Sequence, residues 1–151
     1  VKHQSIYSIL LLLVCAGCGS SEADDQWTKD RPKTYPVKGT VNFNGVPIEG
    51  ATVIFTPKTP DPKAASAITD VKGEYALRTF KPGDGAVPGE HVVTITCIQM
   101  SKAPPGWDQD QKPFIPKETS MIPEKFGKPE SSGLTATVKT EGTNQFKFDL
   151  K

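Results

Sequence analysis

The first chemistry in this chain belongs to its thiols. Cys18 follows two small residues, Ala16 and Gly17, at the end of an apolar run from Ile9 to Val14. Lys2 and His3 give that run a basic start. This is the pattern of a secretory signal whose small-residue cleavage point lies directly before a thiol. Cys15 is the weaker acceptor, because bulky Val14 would sit at the cut. The apolar run is far shorter than the roughly 20 residues that cross a bilayer core, so a cleaved signal is expected rather than a spanning helix. Once the signal is removed, Cys97 has no partner for a disulfide within the chain. It shares a strand face with Val93 and Ile95, where a thiol behaves as a small apolar group.

The other reactive side chains are sparse. His91 is the one histidine beyond the signal. Catalysis would require a nucleophile or a carboxylate oriented on it, and no spacing supplies one, so a half-buried structural histidine is expected. Asp70 with Glu74, and Asp108 with Asp110, offer loop oxygens of the kind calcium takes. Neither segment has the ligand count of a calcium loop. Asp70 has a turn role instead, accepting backbone N–H groups, while Gly73 supplies the positive φ that closes the turn. No metal, cofactor or enzymatic activity is expected.

The elements that position these residues read as strands. From Val37 onward apolar and polar residues alternate, the mark of half-buried strands. Val37, Val41 and Phe43 share one face. Asn44-Gly45 follows, a tight-turn signal in which Gly45 tolerates positive φ. Ala51/Val53/Phe55, a weak Ser66–Thr69 run, Tyr75/Leu77/Thr79, His91/Val93/Ile95/Cys97, Leu134/Ala136/Val138 and Phe146/Phe148/Leu150 complete the set. About seven short strands predict an all-β, two-sheet sandwich. A turn near Glu124–Phe126 is the one helical candidate. Residues 19–36 are polar and aperiodic, a flexible tether spanning about 20–25 Å. Trp27 is its one aromatic outlier.

Residues 99–123 are rich in Pro and Lys and carry Trp107 and Phe114. Loops of this length inside a compact domain are functional or disordered. The aromatics are expected to fold back over a sheet edge. The competing expectation is that they contact a ligand, a sugar or a partner protein. Charge excludes one class of partner. The chain has 18 Lys and Arg against 17 Asp and Glu, and loss of Lys2 with the signal balances them. No basic patch marks a nucleic-acid partner.

Two resemblances add to this reading. The segment ending at Cys18 resembles the lipobox of bacterial lipoproteins, with Cys15 where that pattern usually has Leu. It implies residues 1–17 as signal peptide, Cys18 as the lipidated N-terminus, and 18–36 as lipidated Cys and tether. Lipid chains contribute about 0.8 kcal/mol per buried methylene, and two chains anchor stably. The implied location is the cell envelope, lipid-anchored to a membrane. Gly19 lacks the aspartate-type inner-membrane retention signal, which favours the outer membrane.

Gly45-Val46-Pro47-Ile48-Glu49-Gly50-Ala51-Thr52-Val53, Thr69-Asp70-Val71-Lys72-Gly73-Glu74-Tyr75-Ala76-Leu77 and Pro88-Gly89-Glu90-His91-Val92-Val93-Thr94-Ile95 together resemble the carboxypeptidase regulatory-like domain. That domain is a transthyretin-like sandwich, here spanning 37–151. The segments Ile122–Phe126, Ser132–Val138 and Phe146–Leu150 are similar to short planctomycete-type lipoproteins. The resemblance implies a non-enzymatic structural or protein-interaction module, acting on an unidentified envelope protein or, alternatively, a polysaccharide or small ligand. Hydroxyisourate hydrolases share the transthyretin fold but end in Tyr-Arg-Gly-Ser. This chain ends Phe148-Asp149-Leu150-Lys151, so that activity is not implied. An isopeptide crosslink of the adhesin type, from Lys38 to Asn144 beside Glu74, is not expected, because Lys38 points away from the core face.

Overall fold

The computed structural model describes residues 30–60, 63–107 and 113–151. The signal, Cys18, Trp27, Asp108 and Asp110 lie outside these residues.

The unit Pro32–Lys151 is an all-β sandwich. One sheet is built around β1 (Val37–Phe43). On one side β1 pairs in parallel with β10 (Asn144–Leu150), in a register running from Val37 opposite Asn144 to Phe43 opposite Leu150. The other side of β1 is shared. β2 (Val46–Pro47) pairs with its end, and β5 (Glu74–Ala76) with its start. The second sheet is antiparallel. It has the order β4 (Ala65–Ile68), β3 (Thr52–Pro57), β6 (Gly89–Thr96), β9 (Leu134–Val138).

The alternation seen in the sequence explains the core. Val37, Val41, Val53, Phe55, Val93, Ile95, Ala136, Val138, Phe148 and Leu150 all point inward and are buried. Phe55 lies at the centre. Its ring contacts Tyr75, His91, Phe146 and Phe148 at centroid distances of 5.7 to 6.4 Å. Tilted and edge-on aromatic packing of this kind adds to area burial.

Local chemistry fixes the connections. Asn44 and Gly45 take φ of 51° and 83°, the two positive values that a tight hairpin of right-twisted strands needs. The bend between β2 and β3 is held by Thr69. Its hydroxyl donates to the Ile48 carbonyl at 2.6 Å and accepts from the Ala51 N–H at 2.8 Å. A buried hydroxyl satisfied in both senses carries little desolvation cost.

The strand inventory is richer than the seven expected. Besides short β2, a two-stranded ribbon forms from β7 (Ile98–Met100) and β8 (Glu118–Ser120). Both ends of the 99–123 segment are therefore paired backbone rather than loop. Ser101 and Lys117 extend the ladder by one further bond of 2.9 Å. After the ribbon, Ile122 and the 3-10 turn Glu124–Gly127 return to the sandwich, burying Ile122 and Phe126 in its core.

Candidate functional site

One end of the sandwich carries a groove of about 380 Å³. It is lined by the β1–β2 hairpin, the following bend, and the start of the ribbon, including Phe43, Val46, Ile48, Cys97, Ile98 and Met121. These residues come from three separate chain segments. The hairpin turn lifts Val46 off the sheet, and the ribbon carries Ile98 away from the core. Both remain largely exposed, at 65% and 56%, with Met121 at 49%. Exposed apolar side chains gathered around a concavity are the usual sign of a contact surface.

Cys97 forms the floor of the groove. It follows the last residue of β6, and its thiol lies 3.7 Å from the Glu49 carbonyl. Burial pushes the thiol pKa up. A protonated, largely buried thiol is a poor nucleophile.

Trp107 and Phe114 lie in the segment between the ribbon strands. Their rings meet edge to face with centroids 5.8 Å apart, and neither ring joins the core cluster. Trp107 is exposed and Phe114 half-buried, each ring resting on the other. The Trp107 N–H donates to the Pro104 carbonyl at 3.1 Å.

His91 sits deeper than the half-buried position expected for it. It is wholly buried. Its Nδ1 lies 3.0 Å from the Gly89 carbonyl. A carbonyl only accepts, so Nδ1 carries the proton and Nε2 is a bare acceptor. Among the described residues Nε2 has no hydrogen-bond partner. The Phe55 ring packs 5.8 Å from the imidazole. Burial lowers the imidazole pKa, opposed by the Gly89 bond.

The turn residues are placed by hydrogen bonds. Asp70 Oδ1 accepts from the N–H groups of Lys72 and Glu74 at 2.8 and 2.9 Å. Gly73 takes φ +71° and accepts the Val41 N–H at 2.9 Å, tying the turn to β1 where β2 gives way to β5. Asn144 is also spoken for. Its side-chain amide accepts from the Lys139 N–H and donates to the Lys139 carbonyl, at 2.8 and 3.0 Å, closing the β9–β10 turn. Lys38 is exposed on the opposite face.

Asp84 was not singled out by the sequence. Its carboxylate accepts from the backbone N–H groups of Thr79, Phe80 and Lys81 at 2.7, 2.9 and 3.0 Å. Burial pulls its pKa up, but these donors outweigh it and hold the carboxyl below the usual range. Pro82-Gly83 within the run from Thr79 to Asp84 is a turn signal by residue type, but it does not show which oxygen fills the cluster of N–H groups. Among the described residues, no three His, Cys, Asp or Glu side chains gather as metal ligands.

No protein-family model matches this chain, and no curated protein does. Among solved structures, it is similar to part of a 9R-lipoxygenase from Cyanothece PCC8801. The identity is 11% and the TM-score 0.37, over 81% of this chain and 17% of the lipoxygenase.

Proposed function

We propose that this chain is a cell-envelope lipoprotein, anchored through Cys18, whose sandwich serves as a non-enzymatic interaction module. The carboxypeptidase regulatory-like resemblance supports that role. The observation that carries it is the groove at the β1–β2 end, with Val46, Ile98 and Met121 exposed around it. A partner protein burying these three side chains removes apolar surface from water, worth about 25 cal/mol per Å² before the costs of association.

Photo-crosslinking from position 46 or 98 in intact cells tests this reading. A recurrent envelope protein is the expected result, lost from the position-46 probe when Ile98 is changed to Asp and from the position-98 probe when Val46 is changed to Asp. Mass spectrometry of the N-terminal peptide from the same sample reads Cys18. A diacylglyceryl adduct is expected, and an unmodified Cys18 removes the anchor.

The edge-to-face packing of exposed Trp107 on half-buried Phe114 favours a second reading, a carbohydrate-binding protein. Trp107→Ala would then abolish retention on a polysaccharide while leaving the thermal midpoint nearly unchanged.

A further inference from the structure

The first sheet ends at β10, and among the described residues no strand pairs with its outer edge. The Phe146 carbonyl lies against Gly39 of β1, and the Leu150 carbonyl accepts the Asn44 N–H at 3.0 Å. These residues therefore direct their backbone groups inward, toward β1. Alternation then directs the N–H and C=O groups of Gln145, Lys147 and Asp149 outward along the edge. Natural proteins cover, twist or charge such an edge, because it is a template for another strand.

The charges on this edge are patterned. Lys147 and Asp149 stand two residues apart on the exposed face, 3.2 Å from each other. The Asp149 carboxylate is held further by Asn42, whose amide donates at 2.7 Å. A two-fold, antiparallel pairing of β10 with a second β10 has few registers that bring outward-facing residues opposite each other. Centred on Lys147, it opposes two lysines. Centred on Asp149, it opposes two aspartates. Centred on Phe146, it pairs Gln145 with Lys147 and leaves Asp149 without an opposite charge. Centred on Phe148, it sets Lys147 against the partner's Asp149, and Asp149 against the partner's Lys147. The four charges then alternate in sign. On the inner face the same register sets Phe148 against its own copy and half-buried Phe146 against Leu150. Opposite charges directly across an antiparallel pair stabilise it, and like charges destabilise it.

We propose that the β10 edge is a self-association surface, and that two copies of this chain pair antiparallel through β10 in the register centred on Phe148. A lysine on an edge strand is also a known guard against pairing, and the experiment separates the two roles. Sedimentation equilibrium of the full chain in excess detergent reads the mass. The unaltered protein is expected to be a dimer. K147D and D149K each place like charges across the pair and are expected to weaken it ~tenfold or more. The double exchange K147D/D149K restores every attraction and is expected to restore the dimer. An equimolar mixture of the two single variants also opposes unlike charges throughout, so it is expected to form a mixed dimer. Both substitutions lie on the exposed face, and circular dichroism confirms that each variant is folded. A monomeric unaltered protein, a single variant that dimerises undiminished, or a mixture that stays monomeric would each overturn the proposal.

Discussion

The Tyr75 hydroxyl crosses over Gly39 to donate to the Phe146 carbonyl at 3.2 Å. Three strands meet in that contact, since Tyr75 is on β5, Gly39 on β1 and Phe146 on β10. A Cβ at position 39 would overlap the Phe146 carbonyl and come 2.6 Å from the Tyr75 hydroxyl. Gly39→Ala is therefore expected to cost roughly 3 kcal/mol or more, because backbone as well as side chain must move. Tyr75→Phe removes the bond and keeps the ring, and is expected to cost about 1 kcal/mol. Urea unfolding of both variants checks the ordering, and equal losses would contradict it.

Gly45 and Gly73 make an instructive pair. Both have positive φ, 83° and 71°. A Cβ at Gly45 meets open space, whereas one at Gly73 comes 2.5 Å from the Val41 carbonyl and 3.2 Å from Pro47. Gly45→Ala is expected to cost about 1 kcal/mol, and Gly73→Ala at least twice that from combined strain and overlap. Thermal midpoints of the two variants should separate accordingly.

Acid should destabilise the sandwich through His91. Burial lowers its pKa in the folded state below the ordinary value of 6.5. Just below pH 6.5 the unfolded chain binds this proton and the folded chain does not, so stability rises with pH in that window. The contribution is complete above pH 6.5 and is lost as pH falls toward the folded value. Replacing His91 with a neutral residue of similar size, His91→Gln, should flatten this part of the stability–pH profile. A profile of the same slope in the variant would rule His91 out as its source.

The Asp84 carboxylate also loses its contribution in acid, but here the charged form is the favoured one. Its three backbone donors favour the charged form. Asp84→Ala is expected to cost roughly 1–2 kcal/mol at neutral pH, the scale of losing a helix cap. The difference from the unaltered protein should shrink in acid, once the carboxyl is protonated in both folded and unfolded states.

Cys97 should be silent toward thiol reagents in the folded protein. It is largely buried and its pKa is raised by burial. Labelling with an aromatic disulfide reagent is expected to follow unfolding, rising through the denaturant transition. Rapid labelling without denaturant would mean that the groove floor opens.

Much of the fold was legible because period two is a local property. Strands β1, β3, β6, β9 and β10 each announce themselves by alternation, and Asn44-Gly45 marks its turn by residue type. The ribbon was not legible. Ile98-Gln99-Met100 and Glu118-Thr119-Ser120 are short, and Pro and Lys separate them, so neither carries a pattern alone. They become strands by pairing with each other. The groove was invisible for a related reason. Val46, Ile98 and Met121 resemble ordinary strand residues, and their exposure depends on which neighbours the tertiary fold brings over them. The depth of His91 follows equally from distant residues, since Phe55 closes over it from the neighbouring strand.

The parallel pairing of β1 with β10 joins residues 107 positions apart, such as Asn42 and Asp149. Loop closure must be met before such contacts return any stabilisation, and topologies of this kind fold slowly. β1 therefore waits for β10, and the central strand of one sheet keeps an unsatisfied side until residues 144–150 have been made. For the envelope location proposed above this matters, because a chain that cannot close early stays threadable, the condition a polypeptide must keep in order to pass through a translocation channel before it folds.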